Sequence, residues 1–87
     1  MSRRSYTPDE YKALFERAMT GDPTAQFDVG ECFYYGDAVT KDFCQAVLWY
    51  SHAALSGHGE ALFSLGYCYA HGEGVESDSE KAYNEIM

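Results

Sequence analysis

The 87-residue chain has no apolar run long enough to cross a bilayer, so a membrane-spanning role is not expected. Its opening, MSRRSYTPDE, is charged and is not followed by the apolar stretch of a secretory signal, which reads as a cytoplasmic protein. Basic charge is scarce. From Asp22 onward only Lys41 and Lys81 oppose eleven carboxylates, and the net charge is −8. Such a surface repels phosphate backbones and argues against nucleic acid as a partner, while it steers basic partners inward. Cysteine is also sparse. Three thiols, an odd number in a chain without a signal, read as reduced, buried cysteines rather than a disulfide framework.

Aromatic residues, by contrast, are plentiful: eight Tyr, five Phe and one Trp, in a chain short enough for one domain at most. The stretch GYCYAHGEGV, residues 66–75, offers a thiol, an imidazole and a glycine-spaced loop, and so suggests chemistry. Thirty-six residues earlier, GECFYYGDAV has the same skeleton, with Gly30, Cys32, Gly36 and Val39 in the places of Gly66, Cys68, Gly72 and Val75. The register extends without a gap through Ala25 and Ala61, Phe27 and Phe63, Asp42 and Asp78, and Ala46 and Ala82. A fixed period of this length is the mark of a solenoid.

Each unit reads as helix, loop, helix. Ala25, Val29, Cys32 and Phe33 lie on one helical face, as do Ala61, Leu65, Cys68 and Tyr69 in the next unit. Gly30 and Gly66 sit inside these helices, which suggests that a neighbouring helix passes too close for a side chain. Gly36 and Gly72 end them in the left-handed region. Asp42 opens the second helix of the first unit, with Gln45 placed to complete a capping box, and Gly57 stops it. Its apolar stripe is Ala46, Val47, Trp49, Tyr50, Ala53 and Ala54. Asp78 opens the counterpart. At the N-terminus, Thr7, Pro8 and Glu10 form a capping box for a helix with Tyr11, Leu14, Phe15 and Ala18 inward, and Asp22-Pro23 caps the next helix. The expectation is an all-α fold of about five helices in one domain: a half-repeat helix at 8–20, a first repeat at 21–56 and a second at 57–87 with a truncated last helix.

These residues resemble the Sel-1-like repeat, a relative of the tetratricopeptide repeat. Its pattern runs Ala, three residues, Leu-Gly, two residues, Tyr, two residues, Gly-x-Gly-Val, then Asp, Lys-Ala, Trp-Tyr, Lys-Ala-Ala and Gly. The first unit matches at Ala25, Val29-Gly30, Phe33, Gly36, Val39, Asp42, Ala46, Trp49-Tyr50, Ala53-Ala54 and Gly57; the second matches at Ala61, Leu65-Gly66, Tyr69, Gly72, Gly74-Val75, Asp78 and Lys81-Ala82. Ala38 replaces the second loop glycine, which predicts a slightly different first turn, and Glu85-Ile86 stand where Trp-Tyr is usual. The resemblance implies a short right-handed α-α solenoid whose first helices line a concave side.

Against that repeat, the chemical readings weaken. Cys68 and His71 could share a metal at helical spacing, but the equivalent Cys32 is followed by Tyr35, and both cysteines read as small core residues. No zinc-type pairing joins Cys44, His52 and His58. GEGV lacks the lysine and the Ser/Thr of a phosphate loop and leaves a helix instead of opening one. No nucleophile–base pair is present, so no catalytic residue, cofactor or metal is expected. What remains is a binding surface. The candidate contact residues are Phe27, Glu31, Tyr34 and Tyr35 in the first unit and Glu60, Phe63, Tyr67 and His71 in the second. Both phenylalanines also fit as packing residues. Exposed tyrosines beside carboxylates suit a partner peptide or protein, and Glu31 and Glu60 favour Lys or Arg on it. The expected function is a protein–protein adaptor or scaffold without catalysis. The alternative is a self-associating structural fragment of a longer array, since short arrays are marginal alone.

Overall fold

The structure, a computed structural model, describes residues 5–75. Four helices lie within them: α1 (Pro8–Met19), α2 (Pro23–Tyr35), α3 (Phe43–Leu55) and α4 (Gly59–His71). Among the described residues there is no strand. The expected fifth helix, opening at Asp78, falls outside them. Each helix packs on its neighbour in sequence, most extensively α2 on α3. Connections this short make successive helices antiparallel.

The helix starts are fixed by side-chain acceptors that take up the otherwise unpaired N–H groups of a first turn. The Thr7 hydroxyl accepts from the Glu10 N–H at 3.1 Å, and the Glu10 carboxylate accepts from the Thr7 N–H at 3.0 Å, a complete capping box with Pro8 at the first helical position. Asp22 accepts from the Thr24 N–H at 3.0 Å. At α3 only half of the expected box forms. Asp42 accepts from the Gln45 N–H at 3.1 Å, but its own N–H donates to the Phe33 carbonyl at 2.8 Å, tying the loop back onto α2. At α4 the cap is His58, whose Nδ1 accepts from the Ala61 N–H at 3.2 Å. The repeat places His58 where Asp22 stands in the preceding unit, and the imidazole takes over the carboxylate's role.

Both first helices end alike. Gly36 has φ +74° and Gly72 has φ +65°, and the next N–H turns back to the carbonyl of Cys32 at 2.8 Å or Cys68 at 2.9 Å. Ala38 does not bring the expected different turn. Its φ of +67° falls in the same left-handed region as the +79° of its counterpart Gly74, so the loop shape is kept against the preference of a residue with a Cβ.

The core consists of two buried clusters joined by Phe33. Leu14, Ala18, Ala25, Val29 and Cys32 form the first; Ala46, Val47, Tyr50 and Cys68 form the second, and Phe33 packs against both. All these residues lie on the stripes read from the periodicity. Cys32 and Cys68 are buried, but Cys44 is exposed near the start of α3, contrary to the expectation that all three thiols are interior. Gly30 explains the tightness of the α2–α3 contact. A Cβ there would lie 2.7 Å from Cδ1 of Tyr50 and 3.3 Å from the Ala46 carbonyl oxygen. Around Gly66 no described residue beyond its own helix turn comes within 4 Å of that position.

Candidate functional site

The same close approach places Tyr50. Pressed against Gly30 and only 1% exposed, its ring spans the α2–α3 contact, and its hydroxyl donates to Oε2 of Glu31 at 2.8 Å. Burial, followed by the neighbouring Glu31 charge and this hydrogen bond, pushes the Tyr50 phenol far above its usual value, so it stays a donor. One turn further along α2, the Tyr34 hydroxyl donates to Glu73 in the loop after α4. That hydrogen bond is the main cause of a phenol raised well above the ordinary range. The Tyr34 ring packs on Phe43 at 4.9 Å and meets Tyr35 edge-on at 4.8 Å. Two tyrosines thus spend their protons on two carboxylates and fix both in place.

Between α2 and α4 these groups border an open cavity of about 300 Å³. Helix α2 contributes Glu31, Tyr34 and Tyr35, α3 contributes Tyr50, and α4 contributes Phe63, Ser64 and Tyr67. Tyr35 is 50% exposed, Tyr67 44% and Phe63 76%. Among the described residues no lysine, arginine or histidine lines it. His71 stacks on Tyr67 with ring centroids 3.9 Å apart, while its Nδ1 donates to the Tyr67 carbonyl at 3.0 Å, so one face of that ring is covered and the ring is held in place.

Of the eight candidate contact residues, five border this cavity: Glu31, Tyr34, Tyr35, Phe63 and Tyr67. Phe27, Glu60 and His71 do not. Phe27 is half-buried between Tyr50 at 5.7 Å and the His58 ring at 4.9 Å, a packing role. Glu60 is exposed in the first turn of α4, and His71 acts behind Tyr67. Three residues were missed. Tyr50 lies on the apolar stripe of α3, and it is both core and cavity floor. Ser64 shares a helical face with Glu60 and Tyr67, a signal the spacing carried. Glu73 reaches the site from a loop by a contact spanning α2 to α4, which no local pattern shows. The Cys68–His71 pairing does not form a site, since Cys68 is buried in the second cluster and His71 is engaged with Tyr67. Burial, together with Glu73 and Glu31, pushes the Cys68 thiol up to about 11. Among the described residues no group of three His, Cys, Asp or Glu side chains could hold a metal ion. No described helix is long and apolar enough to cross a membrane.

Helix pairs repeated at a constant offset, with shared caps and a shared left-handed turn, define an α-solenoid of the tetratricopeptide-like kind. The Sel1 repeat model matches residues 23–58 and again 59–84, and the chain belongs to that family. Among solved structures, the chain is similar to a Sel1 repeat protein from Oxalobacter formigenes, at 28% identity and a TM-score of 0.78 over 80% of this chain and 29% of that one. It is also similar to c5321, a protective antigen present in uropathogenic Escherichia coli strains and displaying an SLR fold, at 35% identity and a TM-score of 0.80 over 83% of this chain and 15% of that one. The chain therefore spans less than a third of the length of either structure. No curated protein matches it. Sel1 repeats are generally protein–protein interaction modules and generally not catalytic.

Proposed function

We propose that this chain is a single adaptor domain that docks a segment of a partner protein against the face formed by α2 and α4, without catalysis of its own. The observation that carries this reading is the cavity between those helices. Its rim consists of half-exposed aromatic rings beside a carboxylate, and the residues behind it are fixed by packing and hydrogen bonds. Tyrosine and phenylalanine supply large contact area at little conformational cost, and a preorganised rim keeps that cost low. An acidic chain favours basic partner segments over nucleic acid.

The test is affinity for a peptide selected from a random displayed library against the full chain, compared with a Tyr35→Ala, Tyr67→Ala variant. Both rings are well exposed, so the variant retains the core, whereas Tyr34 packs inside and is a poor probe. Two central aromatic contacts are worth about 2 kcal/mol or more, a loss of roughly thirtyfold. Unchanged affinity rejects the assignment.

A second reading is self-association as part of a longer array. It is favoured by exposed Leu48, Leu55 and Leu62 on α3 and α4, away from the cavity rim. Light scattering across concentration separates the two, because a monomer at high concentration removes self-assembly.

A further inference from the structure

We infer that the cavity between α2 and α4 is a seat for one arginine side chain of the partner, its guanidinium lying against the aromatic rim and its edge directed at Glu31. This rests on the docking reading above and names the chemistry that the docked segment must carry.

Four observations converge on a cation. The rim supplies exposed ring surface from Tyr35, Phe63 and Tyr67, and aromatic faces attract cations through their quadrupole. Glu31 borders the same space, held by the Tyr50 hydroxyl at 2.8 Å, so its charge sits at a fixed point and not on a swinging side chain. A second carboxylate, Glu73, lies behind the wall on the Tyr34 hydroxyl. With no basic side chain among the described residues lining the cavity and a net charge of −8 on the chain, the field there favours positive charge.

Arginine fits this combination better than other cations. A quaternary ammonium needs rings but makes no use of a carboxylate acceptor. A lysine ammonium is compact and strongly hydrated, and leaving water costs it more. The guanidinium is flat, weakly hydrated, stacks on rings and carries donors around its edge for Glu31 and the Ser64 hydroxyl. The His71 ring against Tyr67 holds one rim aromatic in place before the guest arrives.

The experiment is an NMR titration of the full chain with Nα-acetylarginine N-methylamide, using the citrulline and lysine analogues as comparison probes. Citrulline keeps the planar shape and hydrogen-bonding edge but carries no charge. The expected result is saturable shifts at Glu31, Tyr35, Phe63 and Tyr67 with arginine, about tenfold weaker binding for citrulline, and weaker binding for lysine. Glu31→Gln, which still accepts from Tyr50, lowers arginine affinity about tenfold while leaving the ring resonances in place. Equal affinity for citrulline and arginine overturns the inference, as does a diffuse arginine response spread over the acidic surface or no saturation at all. Its failure is separable from failure of the docking reading. A library-selected peptide that depends on Tyr35 and Tyr67 but tolerates arginine-to-citrulline replacement sinks the arginine seat alone. Saturable arginine binding without any peptide dependence on those rings sinks the docking reading alone.

Discussion

Replacing Gly30 by alanine tests how the site is positioned. In an unconstrained helix interior this change stabilises by about 1 kcal/mol, because glycine loses more backbone freedom on folding. Here the added Cβ would stand 2.7 Å and 2.8 Å from two carbons of the Tyr50 ring and 3.3 Å from a backbone carbonyl oxygen of α3. The ring is fully buried and its hydroxyl is held by Glu31, so it cannot swing aside without losing that bond and exposing the second cluster. Overpacking of this kind costs about 1–3 kcal/mol, and loss of a hydrogen bond to a charged group adds about 1.5 kcal/mol or more. After the propensity gain is subtracted, Gly30→Ala destabilises by about 1.5–3.5 kcal/mol. At this chain length that lowers the melting temperature by roughly 6–28 °C. Calorimetry gives the magnitude, and the near-ultraviolet circular dichroism of the aromatic cluster shows whether Tyr50 has moved. A variant that melts at or above the parent temperature with unchanged aromatic signals refutes the close-approach argument and the Tyr50–Glu31 geometry built on it.

Other outcomes follow from single contacts. Ala38→Gly relieves a left-handed backbone and raises stability by about 0.5–1 kcal/mol, measured by urea unfolding; a destabilised variant contradicts the positive φ. His58→Ala removes the α4 cap acceptor and costs about 1 kcal/mol, more if the stacking on Phe27 is lost as well, whereas His58→Asp restores an acceptor and recovers part of it. Stability falls in alkali. The Cys68 thiol is raised in the folded chain to about 11, so unfolding releases a proton once the pH passes the ordinary thiol value near 9, and stability drops as pH rises from 9 through 11. The raised phenols of Tyr34 and Tyr50 extend the loss above pH 10. Cys68→Ala abolishes the first part of this fall in pH-dependent urea midpoints, while an unchanged profile assigns it elsewhere.

Much of the architecture was legible because it is written locally. Caps at Thr7, Asp22 and Asp42 and the turns at Gly36 and Gly72 depend on residues a few positions apart, and the inward stripes follow the helical period. The site was legible on one side only. Glu31, Tyr34, Tyr35, Phe63 and Tyr67 stand out because neither the core stripe nor the repeat pattern requires most of them. Phe27 and Phe63 show the limit. They are equivalent in the repeat, yet Phe27 is covered by Tyr50 of its own unit and His58 of the following one, while Phe63 is exposed on the cavity rim. Local sequence does not supply the covering of Phe27, since Tyr50 and His58 reach it from other helices. The Tyr34–Glu73 bond escaped for the same reason. The Ala38 turn was misjudged because a residue preference of about a kilocalorie yields to a loop anchored at both ends, by the Tyr6 N–H on Asp37 and the Asp42 N–H on Phe33.

The most direct measurement of the central claim is the NMR footprint of a library-selected peptide on the isotope-labelled full chain. A footprint confined to the α2–α4 face, with Glu31, Tyr35, Phe63 and Tyr67 shifted most and α1 silent, is the predicted result. Perturbations centred on α1 or on the outward side of α3, with those four residues unmoved, would contradict it.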